Sequence, residues 1–503
     1  MPRGLRRGRC FVVVPIVAEI CHNTGWPRPA EKYGDDRVVK VDVVIVGAGP
    51  AGIFTALELV QGAPGLRVAI VDKGYDLDKR YCYSQEKKTA CRHCQPCSTV
   101  SGWGGAGAYS DGKLTLSPEV GGMLDQYLPP GELLELIAYV DRTYLDFGAP
   151  RQVYGEDRGE ELAKIQRQAT LADLKLVPAP VRHLGTGRTK EILRNMQQRL
   201  AVAGVAMLME APVAEIMVAG DRVGGVRCEN GLEIAADCVV LAPGREGAEW
   251  LAQVARQLHL RTAVNPVDIG VRVEVPAAVM EHLTQVIYEA KLLFDSPTFD
   301  DRVRTFCMNP YGEVVQENNN GLITVNGHAY ADKRTSNTNF ALLVSKNFTR
   351  PFHEPIAYGR YVASLANLLG GGVLVQRLGD LLSGRRSTPE RLEKSLVRPT
   401  LAKATPGDLS LVFPYRHLRS IIEMLQAMDK IAPGVASRHT LLYGVEVKFY
   451  SSRLELSEEL ETKIANLYAV GDGAGVTRGL VQASVSGVVA ARSILRRMAR
   501  AGA

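Results

Sequence analysis

Val41-Asp42-Val43-Val44-Ile45-Val46-Gly47-Ala48-Gly49-Pro50-Ala51-Gly52, running on into IFTALELV (53–60), is the stretch that decides the fold. Its β-branched run suits a strand buried on both faces of a parallel sheet. The strand enters a glycine turn, and the turn opens a helix at Pro50 and Ala51. A second strand, Arg67-Val68-Ala69-Ile70-Val71, ends on Asp72 and Lys73. Each glycine has a physical task. Gly47 permits the tight turn, Gly49 lets backbone N–H groups reach a pyrophosphate, and Gly52 lets helix and strand pack closely. The helix N-terminus offers partial positive charge to the phosphates, and Asp72 is placed to accept hydrogen bonds from a ribose. A glycine turn of this spacing also occurs without a ligand. Here strand, helix, second strand and acid fall in register, which predicts a dinucleotide fold without separating FAD from NAD.

The far end of the chain makes that separation. Residues 464–492 read IANLYAVGDGAGVTRGLVQASVSGVVAAR. A short apolar strand, 467–470, ends in Gly471-Asp472-Gly473, and a helical run starts near Gly479 and Leu480. A two-part FAD site needs such a second segment. Asp472 suits the ribityl or pyrophosphate region, and the helix N-terminus, with Arg478, suits the charge that develops on a reduced flavin. Between the ends, 213–244 alternates with turns at Gly220-Asp221 and Asn230-Gly231, as a β-meander returning to the main sheet does. It closes on Gly244-Arg245. The expected architecture is α/β: a Rossmann-like FAD-binding domain, with parallel sheet and β-meander, and a mixed α+β substrate domain inserted in the chain.

Length and composition fit this outline. A chain of 503 residues exceeds a single core, and 46% hydrophobic with 23% charged residues is ordinary for a globular protein. A net charge of +6 favours anionic ligands but is no nucleic-acid footprint. No apolar run reaches the roughly 20 residues of a membrane span. Residues 1–39 imitate a secretory signal, but Glu19 interrupts the apolar stretch and no clear cleavage site follows. They read as a poorly structured leader or an upstream start, and the expected location is the cytoplasm. The remaining boundaries expected are 40–264 for the first part of the FAD domain, 265–440 for the substrate or cap domain, and 441–503 for the returning FAD part.

Two loops follow the second strand. Ser101-Gly102-Trp103-Gly104-Gly105-Ala106-Gly107-Ala108 sets small residues and N–H groups against a flavin or pyrophosphate, and Gly104 and Gly105 are the expected contacts. Lys113, or Tyr109, would reach the isoalloxazine edge, where a lysine biases the flavin potential upward. The alternative is a loop whose polar groups simply face solvent. Upstream, Cys82, Cys91, Cys94 and Cys97 are spaced C-x8-C-x2-C-x2-C. That spacing is open to an iron–sulfur cluster with Cys82 or His93 as fourth ligand, to zinc, to a redox dithiol, or to reduced cysteines without metal.

From Asn265 to Thr440 the pattern changes to antiparallel alternation, beginning with VDIGVRVEV (267–275). Helical stretches near 355–370 and 415–430 would pack on it. His328, Arg334, Tyr311 and Cys307 are the catalytic candidates, with Arg304 as a second carboxylate clamp beside Arg334 and His183 as a further histidine. Each has its bland counterpart, since lone histidines are commonly structural and most arginines are solvated or paired. The 181–189 segment, with Gly185 and Gly187, lacks the preceding strand of a second dinucleotide unit.

The chain resembles the glutathione-reductase-type FAD superfamily, and within it the FAD-dependent dehydrogenases also called NAD(FAD)-utilising dehydrogenases. The narrower likeness lies in CRHCQPCSTVSGWGGAGAYSDGKL (91–114), RTFCMNPYGEVV (304–315), TVNGHAY (324–330), TNFALLV (338–344), LLYGVEVKFYS (441–451) and NLYAVGDGAGVTRGLVQAS (466–484). The resemblance implies the fold, FAD, and a backbone contact from Val213 to the adenine, and it brings no substrate. The expected function is hydride transfer between flavin and a small organic molecule. NAD(P)H as co-substrate, or a protein electron carrier, would complete the cycle. An isomerase-type non-redox flavoprotein and an FAD-based redox sensor are the alternatives.

Overall fold

The computed structural model describes residues 38–87, 92, 94–110, 112–156, 159–263, 266–319, 321–329, 333–346, 354–448 and 453–501. Most of the expected leader therefore lies outside the described residues. The first strand, Val38–Val46, begins two residues inside that expected leader, because Val39 and Val41 are already core.

A seven-stranded sheet carries the glycine turn. Val38–Val46 runs parallel to Val68–Val71 on one side and to Glu233–Leu241 on the other. Ala206–Leu208 extends the sheet beyond Val68–Val71, and Leu467–Ala469 joins Glu233–Leu241, both in parallel. Val213–Ala219, Arg222–Cys228 and Glu233–Leu241 form the antiparallel meander. Helices Pro50–Gly62 and Leu480–Ala501 cover one face. They pack on each other, with Thr55 donating to the Gly487 carbonyl at 3.3 Å and Arg492 reaching Glu58 at 2.7 Å. The two ends of the chain thus share one core.

The second sheet has eight strands, in the order Thr405–Pro406, Leu374–Arg377, Leu441–Lys448, Val267–Pro276, Asn337–Lys346, Arg302–Asn309, Lys291–Asp295 and Lys175–Val177. One face is apolar, from Ile269, Val271, Val273, Phe340 and Leu342 to helices Pro355–Gly370 and Tyr415–Asp429. The expected limits at 265 and 440 differ from this layout. Leu441–Lys448 lies between Leu374–Arg377 and Val267–Pro276, and Lys175–Val177 forms the far edge. LLYGVEVK is buried along its whole length, so by pattern alone it passes for a strand of the parallel sheet.

The 181–189 segment is also corrected. A short strand, Val181–His183, does precede the Gly185 turn and the helix Thr186–Val202. It pairs antiparallel with Lys113–Thr115, outside the seven-stranded sheet, so no second parallel dinucleotide unit arises there.

Candidate cofactor and active site

The glycine turn is held by contacts that admit no side chain. Gly47 has φ +115°, and a Cβ there would stand 2.1 Å from the Ala242 carbonyl oxygen. At Gly52 it would stand 2.0 Å from the Gly47 oxygen. Gly49 is different: the nearest atom to its Cβ position is the Gly105 Cα, 4.0 Å away. Packing therefore demands Gly47 and Gly52, whereas Gly49 leaves space. The helix that starts at Pro50 has no side-chain cap on its N-terminus, so its first-turn N–H groups are suited to an anion such as a pyrophosphate. Gly49, Pro50 and Ala51 line that end.

Asp72 organises the surrounding loops. Its carboxylate accepts N–H bonds from Ala48 at 2.8 Å, Gly74 at 2.7 Å and Gly102 at 3.0 Å. Three of the roughly four acceptor positions of a carboxylate are filled in this way, which leaves one for a ribose hydroxyl. Lys73 pairs with Glu246. Val213 stands close by, since the backbone of Glu210 and Ala211 bonds back to Gly74 and Asp72.

The Gly104–Gly105 loop folds over the same helix end. The Gly104 N–H donates to the Ala48 carbonyl at 2.8 Å. Further along, a Cβ on Gly107 would meet Leu480 at 2.9 Å. From the other end of the chain, a Cβ on Gly471 would stand 3.1 Å from the Ala51 Cβ, and one on Gly473 would stand 2.5 Å from the Gly244 oxygen. Asp472 accepts from Thr477 Oγ1 at 2.9 Å and from the Gly479 N–H at 3.4 Å, with Arg245 at 3.7 Å. Burial pushes its carboxyl above the usual range, against the lowering pull of Arg245. Gly47, Gly105, Gly244 and Gly471 thus converge on one helix N-terminus.

Lys113 connects this cradle to the second sheet. Its Nζ donates to the Asn309 Oδ1 at 3.1 Å and the Met308 carbonyl at 3.3 Å, and it lies 5.4 Å from the Tyr288 ring centre. His328 sits half-buried in the Leu322–His328 strand, opposite Glu313. Arg334 is exposed and stacks 4.6 Å from the Tyr311 ring, whose hydroxyl donates to Glu281. The structure does not bring Arg334 to the Lys113 contact.

Sequence reasoning missed what lies beside Lys113. Arg272 is fully buried and donates to Glu446 through Nε at 2.7 Å and Nη2 at 2.6 Å. It also donates to the Cys307 carbonyl at 2.7 Å, Asn326 at 3.1 Å and Asn339 at 3.2 Å. Gly327 of the TVNGHAY motif rests on this group, and a Cβ there would fall 2.1–2.5 Å from Asn339, Asn309 and Arg272. The one available signal was the alternation of 267–275, which puts Asp268, Arg272 and Glu274 on one strand face.

The cysteine loop is fixed to the glycine loop through Arg80, which donates to the carbonyls of Ser98 at 2.8 Å and Trp103 at 2.6 Å. Cys82 and Cys97 are half-buried and Cys94 is exposed. Cys91 and His93 lie outside the described residues. Among the described residues, no group of three or more His, Cys, Asp or Glu side chains converges as a metal site. Likewise, no described helix is long and apolar enough to cross a membrane.

Residues 266–449 match the family model described as FAD-dependent protein, C-terminal domain-like. Residues 42–117 match that of lycopene cyclase protein. The fold is a mixed α/β one that includes a parallel, Rossmann-like sheet. An uncharacterized protein of Clostridium beijerinckii is 26% identical over 490 residues, covering 93% of this chain and 83% of its own. Among solved structures, glycine oxidase from Bacillus cereus is similar at TM-score 0.37 and 16% identity, over 91% of this chain and 95% of that one. L-proline dehydrogenase from P. horikoshii is similar at TM-score 0.35 and 11% identity, over 92% and 94%.

Proposed function

We propose that the protein binds FAD in the cradle between Gly47 and Gly479 and passes a hydride between the flavin and a small organic substrate held against the eight-stranded sheet. The observation that carries this reading is the convergence of both chain ends on the uncapped Pro50 helix, where Gly49 leaves room that packing does not require. The match of 266–449 to an FAD-dependent model supports FAD over other dinucleotides. Bound FAD supplies hydride acceptance and release. Gly49 and the first-turn N–H groups bind its phosphates, Gly105 closes the loop over them, Asp72 keeps the turn in shape, and Lys113 adds positive charge where cradle and sheet meet. NAD(P)H or a protein carrier would complete the cycle of a bound flavin.

Purified protein should be yellow, with bands at about 370 and 450 nm that bleach on reduction. A colourless protein that takes up no FAD on reconstitution would sink the proposal. Anaerobic mixing with NADH and with NADPH decides the electron source: bleaching by either names the co-substrate, and bleaching by neither leaves the protein carrier. Metal analysis of the same sample decides whether the cysteine loop carries iron or zinc.

A further inference from the structure

Helix Pro355–Gly370 packs on the eight-stranded sheet through Pro355, Gly359, Val362, Ala363 and Ala366, all buried. Asn367 ties it to the hairpin, accepting from the Ile323 N–H at 2.9 Å and donating to the Ile323 carbonyl at 2.7 Å. The outer side of a helix so placed is ordinarily charged. This one is not. Arg360 is the single charged residue among its sixteen. Tyr361, Leu365, Leu368 and Leu369 stand 75, 40, 80 and 51% exposed. At 3.6 residues per turn these four share a stripe about 100 degrees wide, the width that normally faces a core. The helix thus carries two apolar stripes, and the fold covers one of them.

The size and spacing of the second stripe point to its occupant. The four side chains expose on the order of 400 Å² of apolar surface, a size at which exposed patches often mark an interaction site. That is about half of the ~800 Å² one partner brings to a standard interface, and so matches the apolar share of such interfaces. Tyr361, Leu365 and Leu369 are four residues apart and symmetric about Leu365. A two-fold axis at Leu365 therefore sets Leu365 against itself and Tyr361 against the partner's Leu369. Rows spaced by four interdigitate in the commonest packing of two helices, and Leu368 fills the neighbouring groove. The pair runs antiparallel, so Arg360 approaches the C-terminal end of the opposite helix, where a cation is favoured. A lipid surface would call for a basic fringe, and this helix has one cation.

We propose that two copies of this chain associate through helix Pro355–Gly370 as a two-fold symmetric dimer, with Leu365 on the axis. The proposal stands on the helix alone and does not depend on the flavoenzyme reading above.

Analytical ultracentrifugation of the full chain at micromolar concentration tests it. The wild type should sediment at twice 54.7 kDa. Leu365→Glu and Leu365→Lys should each be monomeric, because on the axis each new charge meets its own copy. Mixed together, the two variants should re-form a dimer, which requires position 365 to contact itself. Leu368→Glu, at a position far more exposed, should also give a monomer with an unchanged thermal midpoint. A monomeric wild type overturns the proposal, and so does a dimer that survives Leu365→Glu and Leu368→Glu. Failure of the mixed variants to associate overturns the two-fold register. A monomer that pellets with phosphatidylglycerol vesicles would assign the stripe to a lipid surface instead. Sedimentation needs no bound flavin, so a colourless dimer would sink the FAD reading and leave this one standing.

Discussion

Gly49 and Lys113 can each be tested by one substitution. Gly49→Ala adds a methyl group that meets no protein atom nearer than 4.0 Å, at an ordinary backbone angle. Stability should change by less than about 0.5 kcal/mol, while FAD retention through gel filtration should fall sharply. If FAD is retained, the space at Gly49 is not a pyrophosphate site. Lys113→Met removes a cation bonded to Asn309 and Met308. The flavin midpoint potential should drop by on the order of 30 mV, equivalent to about 1.4 kcal/mol for a two-electron couple. Dye-equilibrated titration measures it, and Lys113→Arg should recover most of the loss. The glycine turn was legible from its spacing between strand and helix, although the contact that requires Gly47 comes from the distant Ala242. Arg272 and Glu446 were not, since nothing in either neighbourhood reveals a partner so distant in sequence.

Among the elements, the Glu313–Asn319 and Leu322–His328 hairpin fits closely over the buried Arg272 group. Gly327 lies directly on Asn339, Asn309 and Arg272, and none of the three can retreat without breaking a buried bond. Gly327→Ala should cost about 1–3 kcal/mol, the usual range for overpacking, measured by urea unfolding. An unchanged midpoint would show that the hairpin is free to lift. The first strand of the eight-stranded sheet's inserted segment was readable from alternation in 267–275, because period-2 patterning needs no knowledge of partners. The sheet's strand order was not readable. Leu441–Lys448 enters between Leu374–Arg377 and Val267–Pro276 through pairing that only the assembled sheet defines. The burial of its charged face was equally hidden, since alternation normally marks a polar face as solvated.

At the scale of the whole molecule, buried ionisable groups set the response to acid. His417 is buried with neither ring nitrogen bonded, and burial, aided by Lys346 and Arg416, lowers its pKa from 6.5 to about 4. The unfolded chain takes up this proton first, so stability should fall as pH drops from 6.5 to about 4. Glu289 follows. Burial raises its pKa, but Lys291 and Lys113 more than reverse that, taking it from 4.5 to about 2. Its stabilisation is present above pH 4.5 and is lost as pH falls toward 2. Each step is on the order of 3 kcal/mol. Thermal midpoints across pH 7 to 4 should decline in the wild type and flatten in His417→Phe, and an equal decline in both would exclude the histidine.

The pairing of the Pro50–Gly62 and Leu480–Ala501 helices also bears on the protein's life at the ribosome. Synthesis proceeds at about 5–20 residues per second, so the earlier helix waits on the order of tens of seconds for the later one. Throughout that interval Thr55 and the backbone around Ala51 lack the covering that Gly487 will bring. A nascent chain can form its glycine turn early, yet the second wall of the cradle follows only some 430 residues later. Flavin capture would have to wait for that second wall, and chains abandoned before it would emerge without colour and with an apolar helix open to chaperones.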